Sequence, residues 1–170
     1  MEQILKTKKK NLTMLRKSFV ALLFISVISF ISYSQLLPGI TWHSWNEGYK
    51  KAKQTNKILL IDVYTDWCGW CKKMDKDTYT NPDVLDLINK HFIAVKFNPE
   101  KTNVSYEVEG SFYDGRQLHA MLVNNQQTGY PTTIFLYTKE KKLYLQPGYQ
   151  GPEQFKALLN KYIELQKTGP

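Results

Sequence analysis

Cysteine is scarce in this sequence, whose 170 residues contain only Cys68 and Cys71, separated by two residues. A small exported domain stapled by disulfides would need more cysteines in widely spaced pairs, which excludes a disulfide-stabilised scaffold. A hydrophobic core must hold the fold instead, and 42% of the residues are hydrophobic. The single cysteine pair is therefore available for chemistry.

An apolar run long enough to span a membrane is also lacking. The run at residues 19–31 has 13 residues, whereas a membrane-spanning helix needs about 20. It follows a basic stretch and precedes small residues that suit cleavage before Gln35. We therefore expect an export signal over residues 1–34 and a periplasmic or secreted domain over residues 35–170. The alternative is an uncleaved anchor, in which case the protein contacts a membrane only through the apolar run.

Acidic residues are fewer than basic residues, and most of the basic excess lies near the N-terminus. Of the net charge of +8, residues 1–34 carry +5 and the rest of the chain carries +3. A nucleic-acid-binding surface requires basic residues clustered on one face. The weak excess after residue 34 is typical of solvated lysines, and we expect no nucleic-acid partner.

Internal repeats and low-complexity linkers are absent, so residues 38–166 are predicted to form one domain. Strand-like and helix-like periodicities alternate in the order β-α-β-α-α-β-α-β-β-α. Residues 58–64 are almost continuously apolar, as expected of a strand buried on both faces of a parallel or mixed sheet. Residues 98–115 are polar without a clean period and are predicted to be a loop. This order predicts an α/β fold with helices on the faces of a sheet.

The cysteine pair lies directly after the predicted buried strand, at the start of a predicted helix that ends near Thr78. Cys68 would face unpaired backbone N–H groups and the positive end of the helix dipole, which favour its thiolate. Cys71 lies three positions along, on the same helical face. We therefore predict that Cys68 attacks a disulfide and that Cys71 resolves the resulting mixed disulfide.

The alternatives for the cysteine pair are a zinc site, haem attachment and a structural disulfide. A zinc site needs two more ligands, which only His43, His91 and His119 could supply as nitrogen ligands. Haem attachment needs a histidine directly after the second cysteine, where Lys72 stands. A structural disulfide would close a very small loop and constrain the unfolded chain little.

Asp62 interrupts the apolar strand that precedes the motif. A carboxylate in that position is costly unless it is paired or protonated, and desolvation raises its pKa. We predict that Asp62 accepts the proton of Cys71 during resolution. The alternative is that Asp62 reaches solvent or caps a neighbouring turn.

The run Ile58–Lys72 resembles the strand–turn–helix signature of the thioredoxin-like superfamily, with an apolar strand, an embedded Asp and Trp-Cys-Gly-x-Cys-Lys. The motif Trp-Cys-Gly-Trp-Cys-Lys and the helix start at Asn81-Pro82 resemble exported bacterial thioredoxin-like proteins, including the C-terminal domains of the DsbD reductases. The resemblance covers nearly all of residues 40–166. It implies a thioredoxin fold, in which helices cover both faces of a central mixed sheet of four to five strands.

The same resemblance implies roles for residues outside the cysteine pair. Tyr130 and Pro131 look like the family's cis-proline loop, which lends its backbone to the substrate. Trp67, Gly69 and Trp70 flank the reactive sulfur, and we expect them to contact substrate as well. The middle pair Gly69-Trp70 differs from the Gly-Pro of thioredoxin and the Gly-His of protein disulfide isomerase, so the direction of the redox reaction does not follow from the motif.

These observations predict an extracytoplasmic thiol–disulfide oxidoreductase that reduces protein disulfides. Its partners would be cysteine-containing protein substrates and a membrane electron donor, and it would need no metal or organic cofactor. One alternative is a client-binding or chaperone-like module with little turnover, which loop 98–115, Trp67 and Trp70 support. Tyr106, Phe112 and Tyr113 of that loop would either form a substrate surface or pin the loop to the domain. Another alternative is a dedicated reductant for haem attachment to exported cytochromes.

Overall fold

The computed structural model describes residues 39–169, so the predicted export signal and the anchor alternative lie outside the described residues. None of the helices in this part of the chain has the length and apolar content needed to cross a membrane. In chain order the elements are β1 (Trp42–His43), α1 (Trp45–Thr55), β2 (Ile58–Val63), α2 (Gly69–Asp77), α3 (Pro82–His91), β3 (Phe92–Phe97), β4 (Tyr106–Val108), β5 (Ser111–Tyr113), α4 (Gly115–Leu122), β6 (Thr132–Tyr137), β7 (Lys142–Pro147) and α5 (Pro152–Thr168).

The strand that precedes the cysteines is the centre of a five-stranded mixed sheet with the order β1-β3-β2-β6-β7. β2 pairs parallel with β3 and antiparallel with β6. All six residues of β2 are buried, as expected of a strand with neighbours on both edges and helices over both faces. The predicted mixed sheet and its central strand are confirmed.

Alternate residues of β2 enter two separate hydrophobic clusters. Ile58 and Leu60 pack with residues of α2, α3 and α5, whereas Leu59 and Ile61 pack with residues of α1 and α4. The helices therefore cover both faces of the sheet, as predicted. The helix that carries the cysteines lies on the same face as α3 and α5.

Side-chain caps set the helix boundaries near the positions that the sequence indicates. Ser44 and Glu47 form a capping box at the start of α1, and Asn56 ends that helix in the left-handed conformation. The side chain of Asn81 accepts hydrogen bonds from the first turn of α3, and Pro82 is its first residue. These interactions are local, so they follow from short stretches of sequence.

The prediction of a loop over residues 98–115 is wrong in part, because strands β4 and β5 form an antiparallel hairpin there. Glu109 and Gly110 connect them with positive φ angles of 51° and 81°. Each strand has three residues, too few to show a two-residue period. Contacts with α1 hold the hairpin, since the indole N–H of Trp45 donates to the carbonyl of Glu107, and Asn46 bonds the backbone of Ser105 and Glu107.

Candidate active site

The two cysteines form a disulfide at the beginning of α2. Their Cα atoms are 5.3 Å apart, and Cys68 is the N-cap residue with an extended backbone. Its sulfur accepts a hydrogen bond from the backbone N–H of Cys71, with 3.0 Å between the nitrogen and the sulfur. The sulfur of Cys68 thus faces the N–H groups and the positive end of the helix dipole, an environment that stabilises negative charge.

Two exposed tryptophans adjoin this mostly buried disulfide. Each cysteine exposes 4% of its surface, whereas Trp67 and Trp70 are 67% and 59% exposed. Trp67 lies edge-on to Tyr130 with 5.7 Å between ring centroids, and Trp70 is tilted against Tyr149 at 5.4 Å. Both tyrosines come from loops distant in sequence. Because Trp67 and Trp70 lie on either side of Cys68 in the sequence, the two aromatic pairs offer apolar surface next to this cysteine.

The loop that leads into β6 contributes one of these tyrosines. The peptide bond between Tyr130 and Pro131 is cis, and the carbonyl of Pro131 accepts a hydrogen bond from the N–H of Gly148 at 2.8 Å. The ring contact between Tyr130 and Trp67 joins this loop to the cysteine motif. Gly69 is exposed, and a Cβ added to it would meet no atom within 4 Å. Its backbone is open to an approaching chain.

Glu100 and His119 also adjoin this surface, although the sequence did not assign them to it. The indole N–H of Trp67 donates to Glu100 at 3.0 Å, and the ring of His119 stacks on Tyr130 with 5.9 Å between centroids. A cleft of about 680 Å³ opens beside them and is also lined by Arg116. These residues come from other elements of the fold, so no local pattern around the motif indicates them.

Asp62 is 2% exposed, so the alternative that it reaches solvent is excluded. Its Oδ2 atom lies 3.0 Å from the Nζ of Lys96, the residue opposite it on β3. Burial raises the pKa of Asp62 above its ordinary value, and the charge of Lys96 opposes part of that rise. Asp62 lies on the sheet face that α2 covers, and its raised pKa suits a group that takes up a proton.

Lys96 is the residue of this site that the sequence most clearly could have indicated. It is the one charged residue in the apolar strand β3, just as Asp62 is in β2. Its ammonium also pairs with Asp75 on α2 and lies 4.9 Å and 5.1 Å from the ring centroids of Tyr64 and Trp42. Although burial opposes its charge, the two carboxylates raise the pKa of Lys96. Its pairing with Asp62, however, follows from the register of β2 against β3, which the sequence alone does not show.

The zinc alternative finds no support among residues 39–169. In this part of the chain, no group of three or more His, Cys, Asp or Glu side chains is placed to hold a metal ion. His43, His91 and His119 therefore do not form a metal site with the cysteine pair. What the described residues bring together is a disulfide, exposed aromatic rings and a buried carboxylate.

Comparison with known proteins agrees with this geometry. The chain is 27% identical over 107 residues to disulfide bond reductase DsbH of Chlamydia pneumoniae, covering 61% of this chain and 60% of that protein. It is 29% identical over 116 residues to thiol:disulfide interchange protein DsbD of Pectobacterium atrosepticum, covering 65% of this chain and 17% of DsbD. It spans only 12% of the uncharacterised Caenorhabditis elegans protein B0495.5, to which it is 28% identical over 98 residues and 57% of its own length.

Solved structures identify the fold. The structure of a DsbH oxidoreductase superposes with a TM-score of 0.56 at 20% identity, over 75% of this chain and 87% of that one. A thioredoxin from Thermus thermophilus gives 0.58 at 16% identity, over 76% and 91%. The fold is therefore the thioredoxin fold. Because the family profile matches residues 30–167, the protein belongs to the Thioredox_DsbH family, described as a protein of unknown function, DUF255.

Proposed function

We propose that this protein is a thiol–disulfide oxidoreductase that reduces protein disulfides outside the cytoplasm. The observation that carries the proposal is the disulfide of Cys68 and Cys71 at the start of α2, on the sheet face that also buries Asp62. A sulfur at a helix N-terminus is stabilised as a thiolate, which is the nucleophile in disulfide exchange.

The reaction transfers two electrons from the reduced cysteine pair to the client. The thiolate of Cys68 attacks one sulfur of the client disulfide, and the other client sulfur leaves as a thiolate. Asp62 then accepts the proton of the Cys71 thiol, and the Cys71 thiolate attacks the sulfur of Cys68. The new bond joins the two cysteines, and the second client sulfur is released as a thiolate.

The client would dock on the surface around the disulfide. Trp67 and Trp70 supply apolar contact area, and the exposed backbone of Gly69 permits close approach of a chain. Tyr130 and Pro131 would shape the other side of the site. Support comes from the exposure of both tryptophans and from the contact between Trp67 and Tyr130.

The names of the two bacterial relatives, a disulfide bond reductase and a thiol:disulfide interchange protein, favour reduction as the direction. A reductase outside the cytoplasm has to be re-reduced after each turnover, so we include a membrane electron donor among its partners. Export rests on the basic and apolar pattern of residues 1–34. A reduction potential near about −120 mV, as in the strongest oxidants of this fold, would reverse the direction.

An insulin-reduction assay tests the proposal. With dithiothreitol as electron donor, the wild type should accelerate insulin precipitation, and the Cys68→Ser variant should not. The reduced Cys71→Ser variant, freed of dithiothreitol before it meets the client, should accumulate a mixed disulfide, because the resolving thiol is missing. Wild-type protein that binds insulin but gives no acceleration would instead favour the client-binding alternative. Clients trapped by Cys71→Ser that are confined to apocytochromes would favour the haem-attachment alternative.

A further inference from the structure

Tyr79 follows α2 and is buried on the same face of the sheet as Asp62, with 5% of its surface exposed. Its ring meets Trp42 and Phe155 edge-on, with 5.1 Å and 5.5 Å between centroids. Its backbone N–H donates to the carbonyl of Met74 at 3.1 Å. These contacts hold the ring without using its hydroxyl group.

The strand register and the segment after α2 place three polar groups on this face. Asp62 lies opposite Thr133 on β6, and its Oδ2 atom is taken by Lys96. The other carboxylate oxygen of Asp62, the hydroxyl of Thr133 and the hydroxyl of Tyr79 are all buried. None of the three accepts or donates a direct hydrogen bond within the described part of the chain. Buried polar atoms of this kind rarely lack a function or a partner.

Lys96 links Tyr79 to Asp62, because its Nζ atom lies 3.0 Å from Oδ2 of Asp62 and 5.6 Å from the centroid of the Tyr79 ring. Burial raises the pKa of Tyr79 well above its ordinary value, and the charge of Asp62 raises it further. The hydroxyl therefore keeps its proton and can act as a hydrogen-bond donor.

We propose that the Tyr79 hydroxyl donates a hydrogen bond to Oδ1 of Asp62 while Asp62 is charged, and turns to Thr133 when Asp62 takes up a proton. Tyr79 is then a positioning residue for the proton step, and this inference rests on the proposed function. In that step the proton passes from the Cys71 thiol to Asp62. The Cys71 sulfur bonds to the Cys68 sulfur, and the client leaves as a thiolate.

Other charged groups face Asp62 and remain paired through this cycle. Lys96 approaches from β3, and Asp75 approaches Lys96 from α2. When Asp62 becomes neutral, Lys96 keeps Asp75 as a partner, so its charge is not left alone. The Tyr79 hydroxyl is then the group whose hydrogen-bond partner changes when Asp62 gains or loses its proton.

The Tyr79→Phe variant tests this inference, because it removes the hydroxyl and keeps the ring. The first measurement is an NMR titration of the Asp62 carboxyl in the reduced protein. We expect the midpoint to move up by about one pH unit, since a hydrogen bond to the charged form is lost. The second is the rate of resolution of a preformed mixed disulfide against pH. Its acidic limb should move by the same amount, which makes resolution about tenfold slower below the limb.

Two further variants complete the test. Thr133→Val removes the competing hydroxyl and should move the titration midpoint to lower pH. Tyr137→Phe removes a hydroxyl of the same core cluster that donates to the carbonyl of Tyr162 at 2.7 Å, and should leave the Asp62 titration unchanged. An unshifted midpoint in the Tyr79→Phe variant would overturn the inference. If Tyr79→Phe does not fold, the shift in Thr133→Val decides.

Failure of the proposed function would look different. Wild-type protein that does not reduce insulin contradicts the activity, whereas the NMR titration still measures the hydrogen bond to Asp62. Wild-type protein that turns over, with Tyr79→Phe identical to it in both titration and resolution rate, contradicts only the role of Tyr79.

Discussion

Asp62 is a residue at which burial and ion pairing act in opposite directions. Its carboxylate is removed from water, which disfavours the charge, while Lys96 at 3.0 Å favours it. Burial is the larger effect, and the pKa of Asp62 is raised. A protein that needed only stability would gain from a neutral side chain here. The charged form is therefore the feature of β2 that most needs a functional reason.

The Asp62→Asn variant should be more stable than the wild type at neutral pH. The folded-state pKa of Asp62 lies above its ordinary value of 3.8. The folded protein therefore binds the Asp62 proton more tightly than the unfolded chain does, and the resulting stabilisation is fully present when the pH is below the ordinary pKa. This contribution is lost as pH rises through the folded pKa, and each unit of elevation is worth about 1.4 kcal/mol. The variant does not titrate at this position, so its advantage over the wild type should grow with pH.

Urea unfolding of both proteins between pH 4 and pH 8, with the disulfide intact, measures this difference. An advantage that stays constant or shrinks as pH rises would show that burial of Asp62 does not raise its pKa. The same variant should resolve mixed disulfides more slowly, since it lacks the proposed proton acceptor.

The packing of α1 on β3 depends on the small size of Gly48. A Cβ at this position would lie 2.3 Å from Cγ2 of Val95, far inside van der Waals contact. The helix therefore approaches the sheet more closely than any larger residue permits. The same helix holds the hairpin β4–β5, because Trp45 and Asn46 both hydrogen-bond to the backbone of Glu107.

The Gly48→Ala variant should lower the free energy of unfolding by about 1–3 kcal/mol, because overpacking outweighs the better helix propensity of alanine. Thermal or urea unfolding measures the change. The Gly69→Ala variant is a matched control, since a Cβ there meets nothing within 4 Å, and its stability should equal or slightly exceed that of the wild type. Equal stability of the Gly48→Ala variant and the wild type would contradict the close approach.

Across the whole molecule, three segments that are far apart in the chain meet near the disulfide. Trp67 precedes α2 and Trp70 lies in its first turn, whereas the loops before β6 and α5 carry Tyr130 and Tyr149. In the proposed function, a protein client would cover all three segments, whereas a small disulfide needs to reach only the sulfur atoms. The two kinds of substrate should therefore respond differently to loss of the aromatic surface.

The Trp67→Ala variant should slow reduction of protein disulfides more than reduction of a small aromatic disulfide, because only the protein client uses the lost contact area. The ratio of kcat/KM for insulin and for the small disulfide measures this selectivity. Phe112→Ala is the matched comparison, since Phe112 on the hairpin is 68% exposed against 67% for Trp67. Equal slowing of both substrates by Trp67→Ala would count against the docking surface, and a larger effect of Phe112→Ala would move it to the hairpin.

Much of the fold could be predicted because its signals are local. The apolar run of β2, the capping box at Ser44 and the cap at Asn81 each involve a few neighbouring residues. The cysteine pair at a helix start is local as well, since its geometry comes from the backbone within one turn. Such features need no knowledge of what packs against them.

Tertiary contacts decided the rest of the site. The surroundings of Asp62 combine Lys96, Thr133 and Tyr79, which only the strand register and the end of α2 bring together. The hairpin over residues 106–113 has strands too short to show a period, and its anchors lie on α1. The cost of burying a charge depends on every group around it, so the role of Asp62 depends on neighbours that are distant in the chain.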